Sequence, residues 1–235
     1  MMEIKLKHTP KNPIIIEGFP GIGLIATITT EFLIKHLNAE PIGSIWSKDI
    51  MPIAAVHDSK IVQPLEIFYD KKHNIVILHA LSDVKGLEWD ISSTLVDLYH
   101  QLGATEIISI EGIMSQGGSN NTYYLKSDED KSQLFDSIKL GQLKEGIIVG
   151  VTAALLLKDR DIKTTGFFVE THSKLPDSKS AAKVVEVLNN YLKLELDTKP
   201  LMEAAEMMEK KIKALFEQTK HVMDHKKNMD IHYLG

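Results

Sequence analysis

Short, continuously apolar runs alternate along this chain with stretches whose apolar residues recur at helical spacing. The first run, residues 14–17, reads as a strand buried on both faces, because such strands lose the in–out alternation of half-exposed ones. "GFPGIG" follows, and then Leu24, Ile25, Ile28, Phe32, Leu33 and Leu37 recur at helical spacing as far as Asn38, a residue suited to a left-handed helix stop. The same reading predicts strands over 42–46, 65–69, 74–80, 106–112 and 166–170. A hairpin turning at Asp58-Ser59 precedes the 65–69 run. Helices are predicted over 91–102 with a stop at Gly103, over 127–140, and within 146–160 after an extended start. A further helix runs to Tyr191 from a cap at Asp177 or Ser178. Strands that alternate with helices build a largely parallel sheet with helices on both faces, and the hairpin adds some antiparallel character. "SQGGSNN", residues 115–121, is a biased loop.

The pattern changes after Asp197-Thr198-Lys199-Pro200. Leu201, Ala205, Met208, Ile212, Leu215, Thr219 and Val222 step by four and three, the spacing of a coiled-coil seam. Pro200 suits a first helical turn, while Lys226 and Lys227 suit the negative end of the helix dipole. Such a helix either folds back on its own domain or packs against another copy or partner. Three regions result: an α/β/α domain over 1–197, a heptad helix over 198–228 and a flexible tail over 229–235.

Bulk composition narrows the function. Apolar residues make up 43% and charged residues 25% of the 235, ordinary values for a globular chain. The net charge of −5 argues against general affinity for nucleic acid or anionic lipid. Arg160 is the only arginine among the 27 basic residues, which disfavours bidentate recognition of bases or phosphates. Without cysteine there is no disulfide, thiol nucleophile or Cys-ligated zinc. The opening "MMEIKLKHTP" is too polar for a signal peptide, and no apolar run is long enough to span a bilayer, so a cytoplasmic location is expected.

The glycine loop, residues 18–26, carries the sharpest chemical question. Gly21-Ile22-Gly23-Leu24-Ile25-Ala26 fits the dinucleotide pattern between a strand and a helix. Its expected acidic partner is out of place: Glu40 comes before the second strand, and Asp49 lies beyond it. Pro20 removes a backbone donor beside Gly21. Gly18, Pro20, Gly21 and Gly23 are therefore read as a tight turn that packs helix on strand. The alternative is a nucleotide- or nucleoside-binding protein or enzyme using this loop with the strand-end acids Glu17, Glu111 and Glu170. His79, Asp83 and His172 lie near the same edge in sequence, but their spacing follows no ligand template, and no metal or catalytic set is assigned.

Ordered blocks settle the preference. "GFPGIGLIA", "IGSIWSKDIMPIAAVHDSKIVQPLEIFY", "IISIEGI", "GIIVGVTAALL", "VETHSKLPDSKSAAKVVEVLNNYLKLELDT" and "L..AAEMMEKKI" follow one another along the chain. Together they resemble the proteasome assembly chaperone family, in its archaeal branch related to the second eukaryotic chaperone. The resemblance implies a three-layer α/β/α sandwich of the nucleoside-phosphorylase type, with a mostly parallel mixed sheet and a C-terminal helical extension. It implies a non-enzymatic chaperone without cofactor, partnered by the α-subunits of the 20S proteasome and by further copies of itself. A paralogous chaperone is an additional candidate partner. Leu201, Ala205, Met208, Ile212, Leu215 and Val222 would form the oligomer or partner helix. Family members often end in a hydrophobic residue, tyrosine and any residue, which dock between α-subunits. Here Ile231, His232, Tyr233, Leu234 and Gly235 occupy the end, and Tyr233 is one place early. The extra residue displaces the terminal carboxylate by up to ~3.5 Å.

Overall fold

Along the strand Ile75–Ala80 every side chain is buried, and alternate residues belong to different cores. Ile75 and Ile77 join one cluster, Val76, Leu78 and Ala80 the other. A strand can do this only with helices on both faces of its sheet. The computed structural model describes residues 2–57, 59–114, 121–127, 132–138, 140–158, 162–171 and 175–197, and the single positions 203, 207, 210, 211 and 214.

In chain order the elements are β1 (Glu3–Leu6), β2 (Ile14–Gly18), a 3-10 turn (Ile22–Leu24), α1 (Ile25–His36), β3 (Glu40–Trp46), β4 (Ala55–His57), β5 (Lys60–Val62), β6 (Leu65–Asp70) and β7 (Ile75–Ala80). There follow α2 (Glu88–Leu102), β8 (Glu106–Met114), β9 (Thr122–Lys126), α3 (Ser132–Ser137), β10 (Gly141–Gln142), α4 (Gly150–Lys158), β11 (Thr164–Thr171) and α5 (Ser178–Leu192). Nine strands form one sheet in the order β1-β3-β6-β7-β2-β8-β11-β9-β10, while β4 and β5 pair separately. The four central strands β7, β2, β8 and β11 run parallel. On one flank β1, β3 and β6 pair antiparallel, and on the other β9 runs antiparallel to β11.

Helices α1 and α5 supply Phe32, Leu33, Val184 and Leu188 to one core. The other core takes Leu95 and Leu98 from α2, and Val151 and Leu155 from α4. The result is a three-layer α/β/α sandwich with a mixed sheet. Local signals account for several boundaries. Asn38 has φ 52 just past α1, and Gly103 has φ 60 at the C-cap of α2. Asp177 caps α5 by accepting from the Ser180 N–H.

Differences from the sequence reading follow from pairing. Parallel order is concentrated at the centre because β6 enters the main sheet between β3 and β7. The polar stretch at the start holds an edge strand, β1, whose side chains are at most half-buried. Within the helix expected over 127–140, where 128–131 and 139 lie outside the described residues, the structure holds α3 (Ser132–Ser137). Ahead of it "TYYLK" is the strand β9, drawn against β11 by its β-prone aromatic residues. Positions 203, 207, 210, 211 and 214 are helical and exposed. Leu201, Ala205, Met208, Ile212, Leu215, Val222 and the tail from Ile231 to Gly235 lie outside the described residues.

Candidate functional site

The glycine turn closes on itself through the backbone. Gly18 ends β2 where a Cβ would stand 2.7 Å from both the Ala26 carbonyl oxygen and Thr30 Cγ2, so α1 meets the strand only over a bare backbone. Gly23 has φ 70, a left-handed value that glycine adopts without strain. Its carbonyl accepts the Asp177 N–H at 2.9 Å, which ties the turn to the start of α5. The Asp177 carboxylate also accepts from the hydroxyls of Thr171 and Ser180, at 2.7 and 2.8 Å. Its pKa is lowered: burial pulls upward, but hydrogen bonds from Ser180, Thr171 and Lys179 outweigh it.

Sheet order removes the dinucleotide reading of the motif. In that fold the strand after the first helix lies beside the first strand and delivers an acid to the ribose. Here β7 and β6 stand between β2 and β3, so β3 is about 14 Å from β2 at ordinary strand spacing. Glu40 opens that distant strand and Asp49 lies three residues past its end, and both are exposed.

The strand-end acids divide among different surroundings. Glu17 on β2 and Glu111 on the neighbouring β8 face the α2/α4 layer, as does Ser109. Thr152, in the first turn of α4, stands between them, its Oγ1 2.9 Å from Glu111 Oε1 and 3.5 Å from Glu17 Oε1. Burial pushes Glu17 up to about 8; the Glu111 charge adds to the rise, while the Ser109 and Thr152 hydroxyls offset part of it. Ser109 Oγ is close enough for that effect but meets full hydrogen-bond geometry with no group. Burial likewise raises Glu111 to about 7, against the Thr152 hydrogen bond. The other Glu111 oxygen, Oε2, lies 3.3 Å from where a Cβ of Gly21 would be, so the acid reaches the turn through a missing side chain.

Glu111 also lines a cavity of about 990 Å³ between the glycine turn, the start of α2 and the segment leading into α4. Phe19, Ile22, Val84 and Phe168 give it apolar walls, and Asp83 and Glu170 add carboxylates. Glu170 is held by the Tyr123 hydroxyl at 3.1 Å and the Asn121 N–H at 3.2 Å. His79 is not part of this group. It faces α1 across the sheet, with Nδ1 2.9 Å from Thr30 Oγ1 and Nε2 3.4 Å from Glu31, and burial lowers its pKa against the pull of that carboxylate. His172 lies outside the described residues. Among the described residues no three His, Asp or Glu side chains are grouped to hold a metal ion, and no helix is long and apolar enough to cross a membrane.

Sequence reasoning missed Thr152, Ser109 and Gly112. A hydroxyl inside an apolar helix carries no signal of its acid partners until α4 is laid on the sheet. Gly112 lets the Ile22 carbonyl approach β8, a contact made between segments far apart in sequence.

Sheet order, the two helical layers and the locked glycine turn define the class: a three-layer α/β protein built around a mixed nine-stranded sheet. The chain belongs to the PAC2 family, whose profile matches residues 15–216. It is 29% identical over 221 residues to an uncharacterized protein of Methanocaldococcus jannaschii, a match spanning 91% of this chain and 90% of that one. Among solved structures it is similar to PbaA of Pyrococcus furiosus, described as an archaeal homolog of proteasome-assembly chaperone. The two share 28% identity with a TM-score of 0.84, over 95% of this chain and 100% of that one. The fold also matches PbaB of Pyrococcus furiosus, described as an archaeal proteasome activator, with 23% identity and a TM-score of 0.71 over 91% and 98% of the two chains.

Proposed function

We propose that this protein is a non-enzymatic proteasome-assembly chaperone or adaptor that acts in the cytoplasm. The similarity to PbaA along 95% of the chain carries the reading. In it, the α/β/α domain over 1–197 is the body and the heptad helix over 198–228 joins copies of the chain, with or without a paralogous chaperone. The tail over 229–235 reaches the α-ring of the 20S proteasome. Ile231, His232, Tyr233, Leu234 and Gly235 form an imperfect docking end, since Tyr233 is third from the terminus. Several such ends on one oligomer raise the effective concentration of each, which offsets weak individual docking. Binding to α-subunits would favour the assembled ring by mass action.

Pull-down of free α-subunits or 20S particles at low salt tests this with the full chain and a chain cut before Ile231. The full chain is expected to retain α-subunits and the cut chain to retain fewer. Failure of both to retain any would overturn the proposal.

The cavity beside Glu111 supports a second reading, a small-molecule site for a nucleotide or nucleoside. It lies at the carboxyl ends of β8 and β11, where open α/β sheets place their ligands, and has the size of a ligand pocket. Calorimetry with NAD, ATP and nucleosides separates the two. Micromolar binding abolished by Glu111→Gln would establish the second reading, and absence of heat would remove it.

A further inference from the structure

The tail docking proposed above uses neither Glu17 nor Glu111, yet both are built into the centre of the sandwich. They stand on adjacent parallel strands and face the first turn of α4. The hydroxyl between them, that of Thr152, has a single proton to donate. At 2.9 Å from Glu111 and 3.5 Å from Glu17, it cannot satisfy both. Ser109 Oγ, fully buried beside Glu17, offsets part of the cost of its charge but falls short of full hydrogen-bond geometry. Two ionised carboxylates would therefore face each other across the single Thr152 donor, with only the poorly aligned Ser109 hydroxyl in addition, next to a core that includes Ile15, Ile107, Val151 and Leu155.

Charged groups on the surrounding elements do not resolve this. Asp83, Lys85 and Glu88 come from the α2 side, Glu170 from β11, and Lys144 and Glu145 from the segment before α4. All line the cavity that Glu111 borders, carboxylates outnumber lysines among them, and Glu17 does not reach that cavity. The amide dipoles at the start of α4 favour an ionised acid, but they serve one turn only and must act against two buried, mutually repelling groups.

We propose that Glu17, Thr152 and Glu111 form a proton-dependent latch for α4. With a proton held by the acid pair, the two carboxyl groups and the Thr152 hydroxyl can hydrogen-bond in series, and the first turn of α4 is seated on β2 and β8. When that proton leaves, the pair repels and the seat of Thr152 weakens. Helix α4 then loosens together with the 143–149 segment, a wall of the cavity in which Ile147 and Val149 are already largely exposed. The burial that lifts both acids toward neutral pH places this event within the physiological range. The latch is independent of which partner the protein serves.

Amide hydrogen exchange on the full chain tests it, comparing peptides from α4 and β7 between about pH 6 and about pH 9 after correction for intrinsic rates. Protection in α4 is expected to fall roughly tenfold or more with rising pH while β7 holds. In Glu17→Gln the α4 profile is expected to be flat. A flat wild-type profile, or a Glu17→Gln profile that follows the wild type, overturns the latch. Infrared spectroscopy supplies a readout in which no variant has to fold. The carbonyl band of a protonated carboxylic acid should persist in the wild type at about pH 6.5, where ordinary glutamates are ionised. Its absence there overturns the proposal.

Discussion

The backbone N–H of Asp177 donates to the Gly23 carbonyl at 2.9 Å, so the residue that caps α5 also holds the turn that begins α1. One aspartate thus joins two segments about 150 residues apart in sequence. Asp177→Ala keeps that backbone bond but loses the side-chain bonds to Thr171 and Ser180. It should cost about 1–2 kcal/mol in urea denaturation, the usual loss for an N-cap. Asp177→Asn should recover part of this, because the amide oxygen still accepts the Ser180 N–H.

Gly18 offers a test of packing without a positive φ. A methyl group there would press on the Ala26 carbonyl oxygen and on Thr30 Cγ2, and the backbone oxygen cannot move aside without shifting α1. Gly18→Ala should therefore destabilise by about 1–3 kcal/mol, the range for overpacking a filled core. Gly86→Ala is the contrast, because Gly86 has φ 85 but nothing within 4 Å of the added Cβ. It should show only a backbone cost of about 1 kcal/mol. Thermal melts of the two variants would rank them.

Phe135 shows where a short element carries a large share of the packing. It is fully buried although α3 has six residues, with its ring 3.9 Å from that of Tyr124 and 5.4 Å from that of Tyr191. Phe135→Ala should cost about 3–5 kcal/mol, read from the shift of the urea midpoint at unchanged slope. Phe135→Leu should cost less than half of that.

How much could be read in advance depended on whether the signal was local. The buried strands β2, β7, β8 and β11 announced themselves as apolar runs, and Asn38, Gly103 and Asp177 marked helix ends by their own backbone or capping chemistry. β9 gave no such signal, since "TYYLK" follows a loop-like stretch and becomes a strand by pairing with β11. The candidate site divided in the same way. Glu17, Glu111 and Glu170 were legible as strand ends, but only the sheet order reveals that Glu17 and Glu111 adjoin and that His79 faces the opposite layer. Thr152 became visible only once α4 was placed over those strands.

The acid pair also gives stability a defined pH dependence. Glu17 and Glu111 start from 4.5 and rise to about 8 and about 7 in the fold, so the native state holds more protons than the unfolded chain between those values. Stability from the pair is full below about pH 4.5 and is lost as pH rises through 7 and 8. Asp177, with its lowered pKa, acts in the opposite sense and loses its contribution as pH falls below 3.8. Urea denaturation should therefore show stability declining from mildly acidic to mildly alkaline pH. Glu17→Gln should flatten that decline and exceed the wild type at about pH 9 by a few kcal/mol. A wild-type curve that rises across this interval would contradict the assignment.

The C-terminal heptads make a prediction of a different kind, about association. Glu203, Met207, Lys210, Lys211 and Ala214 are helical and exposed, and Met207 is the only large apolar side chain among them. In the heptad pattern Glu203, Met207, Lys210 and Ala214 each follow Leu201, Ala205, Met208 and Ile212 by two residues, about 200° around a helix. A polar outer face opposite an apolar seam suits a helix packed on its own domain or on a second chain, and the proposed association needs the second. If the heptad helix joins copies as proposed, Met208→Glu combined with Ile212→Glu should give a monomer in light scattering at high micromolar concentration where the wild type is larger, with the melting temperature of the α/β/α body little changed. A wild-type chain that is already monomeric under those conditions removes the oligomer. A double variant that stays oligomeric places the interface elsewhere on the body.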